Sequence, residues 1–119
     1  MIERLSPPGA PVPKGPYSPA VKAGGFVFVA GQVPSEKGDI QHETRQVLNN
    51  LKVILDGVGS SMAQVAKVGV YLADGADFVK MNEVYAEFFG ENKPVRTTIV
   101  CKFVADIKIE VDCIAYSGD

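Results

Sequence analysis

The sequence has no tryptophan, two cysteines and a single histidine, and each shortage removes a class of chemistry. Cys101 and Cys113 form no CxxC pair and no Cys/His cluster, so a transition-metal site lacks a ligand set. Both fall in expected strands, where two buried, reduced thiols are expected rather than a disulfide. His42 stands in the first turn of an expected helix and reads as a solvent-facing residue; no second histidine exists for paired acid–base work. A G-x-S-x-G elbow, a P-loop and a G-x-G-x-x-G fingerprint are all missing, which leaves no sign of a serine nucleophile or a nucleotide cradle. Apolar runs fall short of the ~20 residues that span a bilayer, so no membrane partner is expected. The N-terminus, MIERLSPPGAP, lacks the apolar centre of a secretory signal and is poor in Arg and Ser for a presequence. A cytoplasmic location is expected, or a mitochondrial one if a presequence has been removed. Basic runs are missing too. With 12 Lys/Arg against 14 Asp/Glu and a formal charge of −2, nucleic acid is not expected as a partner, because phosphate binding needs a concentrated basic face.

What is present suits one compact unit. The 119 residues are 46% hydrophobic and 22% charged, enough for a single core over residues 1–119 and too few for two domains. Six of the eight prolines lie between residues 6 and 19, which prevents a helix there and predicts an extended surface segment. Tyr17 to Val21 then enters a strand, Gly24-Gly25 turns, and Phe26 to Ala30 returns. Val47, Leu51, Ile54, Leu55 and Val58 form one helical stripe, with Gly57 and Gly59 placed to end it. Val68, Val70 and Leu72 alternate as a strand. Asp74 and Asp77 are N-cap candidates for a second helix with Phe78, Met81, Tyr85, Phe88 and Phe89 on one face. Pro94 precedes a β-branched strand from Arg96 to Cys101, and residues 107–116 alternate with period two. The order ββ-α-β-α-ββ, with a further short strand near Ile2, predicts an α+β fold: a mixed six-stranded sheet with both helices on one face. Strands such as Phe26 to Ala30 are apolar on both sides, so the other face needs a second subunit to cover it.

Two charged residues occupy unusual places. Arg96 opens a strand directly after Pro94, as a structural ion pair or as an anchor for an anionic ligand. Glu110 lies mid-strand, on the face opposite Ile109, Val111 and Cys113. It is either a solvated or paired carboxylate, or, under a neighbouring subunit, a carboxyl with raised pKa suited to general acid–base work.

Seven segments in order, GPYSPAV (15–21), VAGQV (29–33), ETRQVLNNLKVIL (43–55), VAKVGVYLAD (65–74), DFVKMNEVYAEFF (77–89), PVRTT (94–98) and IKIEVDCIA (107–115), resemble the YjgF/RidA family across residues 15 to 116. No one segment is specific; the collinear set is. The resemblance implies a chorismate-mutase-like fold, a homotrimer with sites in clefts between subunits, and no cofactor. The implied activity is hydrolysis of reactive enamines and imines, of the 2-aminoacrylate/2-iminopropanoate type, to 2-keto acids and ammonia. The alternatives it carries are a non-catalytic regulatory trimer that binds a small 2-imino or 2-keto acid, and a translation-inhibiting endoribonuclease.

The same resemblance assigns roles. Arg96 would hold the substrate carboxylate with two parallel hydrogen bonds, and Glu110 would orient water and return a proton to the departing ammonia. Tyr17 would line the cleft, Gly31 would admit substrate beside the backbone, the Thr98 backbone would touch the ligand, and Asn82 would stand near it. Ala30 takes the place of a frequent serine in the pocket wall. Thr98 replaces a frequent cysteine, Val95 a common alanine, and the usual Leu-Pro before the last strand is absent.

Overall fold

The computed structural model describes residues 1–118. Six strands, β1 (Glu3–Leu5), β2 (Ala20–Ala23), β3 (Phe26–Gln32), β4 (Val65–Leu72), β5 (Val95–Val100) and β6 (Ile109–Tyr116), are joined by two helices, α1 (Ile40–Gly57) and α2 (Phe78–Phe89). They form one sheet in the order β1-β2-β3-β6-β4-β5. Only β4 and β5 run parallel, and α2 makes the crossover that a parallel pair requires.

Alternation decides which side chains meet the helices. Val27 and Val29 of β3, Val68, Val70 and Leu72 of β4, and Ile109, Val111, Cys113 and Ala115 of β6 point to one face. There they join Val47, Leu48, Leu51, Ile54 and Leu55 of α1 and Met81, Val84 and Phe89 of α2 in a single core. The stripe expected on α2 shifts accordingly: Val84 is fully buried, whereas Phe78 is exposed at the rim. The reverse face carries Phe28, Ile99 and Tyr116 at 44%, 46% and 43% exposure. That apolar surface, uncovered in one chain, is the one the two-sided strands anticipate.

Local chemistry accounts for the boundaries. Gly24 and Gly25 both take positive φ (57° and 84°), as a two-residue primed turn between β2 and β3 demands. The Asp39 carboxylate accepts from the His42 amide at 2.8 Å and caps α1. Asp74 accepts from Ala76 N in a short 3-10 turn, whereas Asp77 makes no side-chain cap to α2. β2 begins at Ala20 rather than Tyr17; Pro16 and Pro19 cannot donate to a ladder, so Tyr17 stays in the turn before it. β6 begins at Ile109 because the Ile107 amide closes a turn onto the Ala105 carbonyl. Cys113 is buried as expected, but Cys101, just past β5, is only half-buried.

Gly57 does not end α1 through its own conformation; it is the last helical residue, and the positive φ falls at Gly59. Its use is contact. A Cβ at position 57 would stand 2.5 Å from Pro7 Cβ, and Pro7 is buried in the proline-rich segment laid over the helix end. Gly57→Ala should therefore lower the denaturant midpoint: overpacking costs about 1–3 kcal/mol, more than the gain of at most about 1 kcal/mol in helix propensity at a terminal position. An unchanged midpoint would show that the proline segment does not bear on α1.

Candidate active site

The two residues singled out as reactive lie on opposite faces of the sheet. Arg96 pairs across β4 with Val68, a core residue, so its side chain leaves on the helix side. There Nη1 donates to Asn82 Oδ1 at 2.8 Å, and the guanidinium lies over the Tyr85 ring at 4.7 Å and the Phe78 ring at 5.6 Å from their centroids. Among the described residues of one chain no carboxylate forms an ion pair with it. Asn82, Tyr85, Phe89, Lys93, Pro94 and Arg96 line an open hollow of about 350 Å³. The Tyr85 and Thr98 hydroxyls are buried without a hydrogen-bond partner among the described residues; Thr98 is two residues along β5 from Arg96, on the same face. Of the two, Tyr85 lines the hollow. β5 is also the sheet edge, so alternate backbone groups around Thr98 have no strand partner.

Glu110 sits between the core residues Ile109 and Val111 and therefore projects to the reverse face, opposite Tyr71 of β4. It is half-buried, and among the described residues it has no ion-pair partner. Burial, followed by the neighbouring Asp112 carboxylate, holds its carboxyl above the ordinary value. Glu110, Tyr17, Ala30 and Gly31 share an open cleft of about 720 Å³ with Tyr71, Asp112, Lys14 and the segment from Cys101 to Ala105.

A local irregularity of β3 shapes this cleft. Val29 pairs with Cys113 and Gln32 with Val111, so three steps on β3 match two on β6. The bulge at Ala30 and Gly31 is pinned by the Ala30 amide on the Pro19 carbonyl and by Gln32 Nε2 on the Ala30 carbonyl, both at 3.0 Å. Gly31 comes under the Glu110 carboxylate: a Cβ there would overlap Oε2 and lie 2.9 Å from Cδ. The absent side chain thus makes room for Glu110 itself, a reason separate from admitting substrate. Tyr17 is exposed at the cleft wall, its hydroxyl 3.4 Å from the Lys14 amide.

One chain therefore gathers Glu110, Tyr17, Ala30 and Gly31 in one place and Arg96 and Asn82 in another, with Thr98 two residues along β5 outside that hollow's lining. Residues 8–117 match the family model described as Endoribonuclease L-PSP. A RutC family protein of Pyrococcus horikoshii is 52% identical, with 98% of this chain and 98% of that protein covered. The crystal structure of yeast Mmf1 superposes with a TM-score of 0.94 at 34% identity, over 98% of this chain and 99% of that one. Escherichia coli TdcF, solved with bound serine, gives 0.90 at 32% identity over 96% and 98%. The chain belongs to the YjgF/RidA family.

Two features of this YjgF/RidA chain escaped the reading of its sequence. The Tyr71–Asp112 pair beside Glu110 is one, with the Tyr71 hydroxyl donating to Asp112 Oδ2 at 2.9 Å; period-two alternation put both on the reverse face but said nothing of their contact. The other is Glu43, a fully buried carboxylate on α1 that accepts from the Gly38 amide at 3.2 Å and the Lys108 amide at 2.8 Å. It ties the helix start to the residue before β6. His42 is exposed, 2.6 Å from Gln46 Nε2, and lines neither hollow. Among the described residues no group of three or more His, Cys, Asp or Glu side chains is placed to hold a metal ion, and no helix is long and apolar enough to cross a membrane.

Proposed function

We propose that the protein hydrolyses reactive 2-imino acids to 2-keto acids and ammonia, as a homotrimer whose sites each take Arg96 from one chain and Glu110 from its neighbour. The observation that carries this is the pair of uncompensated charges: a half-buried guanidinium held by a neutral amide and an aromatic ring, and a half-buried carboxyl of raised pKa, on faces that one chain cannot bring together. An anion must complete the first and a proton-exchanging partner the second. A substrate with a carboxylate next to an imine carbon supplies both. TdcF, with its bound serine, supports a ligand carrying an α-carboxylate, and the apolar reverse face of the sheet supports burial against other copies.

In the reaction Arg96 grips the carboxylate with the donors left free by Asn82, while the Thr98 backbone at the sheet edge adds a contact. The Glu110 carboxylate takes a proton from water as the water oxygen bonds to the carbon of the protonated imine. Glu110 then returns that proton to the carbinolamine nitrogen; the C–N bond breaks, the C=O bond forms, and ammonia leaves with the hydroxyl proton as ammonium. A pKa nearer neutrality suits a group that must both accept and return a proton. Tyr17 and Ala30 wall the cleft, and no cofactor takes part.

The test is ammonia and 2-keto acid release from 2-iminopropanoate generated in situ. Two charged hydrogen bonds at about 1.5–3 kcal/mol each make Arg96→Ala slower by roughly two to four orders of magnitude. Glu110→Gln, which removes the proton carrier, should lose on the order of a hundredfold or more. Wild type no faster than buffer would overturn the enzymatic reading; pyruvate binding that vanishes in Arg96→Ala would then leave a ligand-binding trimer. The endoribonuclease description of the family model gains ground only if RNA cleavage survives both substitutions at constant specific activity.

A further inference from the structure

Asp112 belongs to no step described above, yet its surroundings fix it firmly. It lies two residues from Glu110 on β6, on the same face, a separation of roughly 7 Å along the strand. Its Oδ2 accepts from the Tyr71 hydroxyl at 2.9 Å, and Tyr71 is the residue directly opposite Glu110 on β4. Beneath the pair lies Gly69, paired with Asp112 across the strands. A Cβ on Gly69 would overlap Asp112 Oδ1 and stand 2.9 Å from the Tyr71 hydroxyl, so the missing side chain is the notch in which carboxylate and phenol meet. Glu110, Tyr71 and Asp112 all line the same cleft. Among the described residues Asp112 forms no ion pair; Lys67, exposed on the same face of β4, lines a neighbouring hollow with it.

We propose that Asp112 is a positioning residue for Glu110: an anionic neighbour in the same cleft, oriented by Tyr71 and seated over Gly69, that tunes the proton transfer Glu110 performs. The inference rests on the reading of Glu110 as the group that accepts and returns a proton. A carboxylate that binds its proton too weakly takes it from water poorly. A second anion on the same face corrects this by making ionisation of Glu110 less favourable. The other titratable and charged groups facing Glu110 are Lys14 and Tyr17 from the segment before β2, Tyr71 from β4, and Cys101 and Lys102 after β5. The two lysines act in the opposite sense, but both are exposed and screened by water. Burial of Glu110 works in the same direction as Asp112 and is the larger cause.

The test separates Asp112 from burial. In ligand-free protein labelled with 13C at the glutamate carboxyls, the resonance lost in Glu110→Gln identifies Glu110, and its titration is followed in wild type, Asp112→Asn and Asp112→Glu. Asp112→Asn keeps the shape and removes the charge, so the Glu110 midpoint should move to lower pH; Asp112→Glu should restore part of the shift. The acid limb of the kcat/KM profile for imine hydrolysis should move the same way, because the reactive carboxylate form appears earlier, while the plateau falls with the weaker base. KM should change less than kcat, since Asp112 is proposed to act through Glu110. Should Asp112→Asn fail to assemble, Tyr71→Phe, which frees the carboxylate to swing into solvent, should move Glu110 in the same direction by less. A Glu110 midpoint unmoved in every assembled variant overturns the proposal. The NMR titration needs no turnover: a midpoint that moves in a protein inactive toward imines sustains the Asp112–Glu110 coupling and removes only the deaminase reading.

Discussion

Chains carrying Arg96→Ala and chains carrying Glu110→Gln, each nearly inactive alone, are expected to recover about a quarter of wild-type imine hydrolysis when co-expressed in equal amounts and assembled together. The figure follows from geometry. Arg96 leaves the sheet on the helix side, beside Val68 and over Tyr85, while Glu110 leaves it on the reverse side, opposite Tyr71. If each site borrows Arg96 from one chain and Glu110 from the next, a site is intact only when an Arg96-bearing chain meets a Glu110-bearing one in the correct order. With random mixing each condition holds at about one half of positions, hence about one quarter of sites in a closed ring. Were both residues drawn from the same chain, no mixed site would be whole. Activity of the co-assembled protein no greater than the average of the two variants would therefore sink the shared-site reading while leaving the fold intact.

Gly31→Ala is expected to lower kcat/KM by about two orders of magnitude with little loss of stability, a misplacement on the scale of an ångström being sufficient for such a fall. The added methyl collides with Glu110 Oε2 and Cδ and with no backbone atom. A flexible side chain can swing aside at small cost to the fold, so the thermal midpoint should stay near that of wild type. The displaced carboxylate, however, no longer faces the substrate. Pyruvate binding through Arg96 should survive, which separates this variant from Arg96→Ala. Full activity would mean that Glu110 works from another rotamer; a large fall in midpoint would mean that the β3 bulge has been lost.

The contrast between these residues shows what could be read in advance. Glu110 was legible because β6 alternates cleanly, with Ile109, Val111, Cys113 and Ala115 all buried, so its face followed from counting. The face of Arg96 was not legible. Along Val95–Val100 no alternate residue is fully buried, since β5 is the edge strand and the core scarcely reaches it. What Arg96 meets also depended on a partner from another element, and Asn82 of α2 supplies it with an amide oxygen. Glu43 shows the same limit: its partners are the Gly38 and Lys108 amides and the Lys108 ammonium, all distant in the chain or outside the helix, and nothing in the local pattern of α1 distinguishes it from a solvated glutamate. The bulge at Ala30 and Gly31 needed the register against β6, a long-range property. Helix stripes and strand alternation are written locally; contacts between elements are not.

The place of β6 in the sheet also bears on how the chain comes together during synthesis. It lies between β3 and β4, and both precede it in the chain. Until residues 109–116 emerge, β1–β3 form one unfinished patch and β4–β5 another, each with a strand edge open where β6 will lie. The keystone is thus made after the stones it joins, and the segment that closes the sheet also carries Glu110 and Asp112. Nascent chains stalled before Ile109 should hold open edges and seek chaperones. Those that pass it gain the sheet and the Glu110 carboxyl in one step.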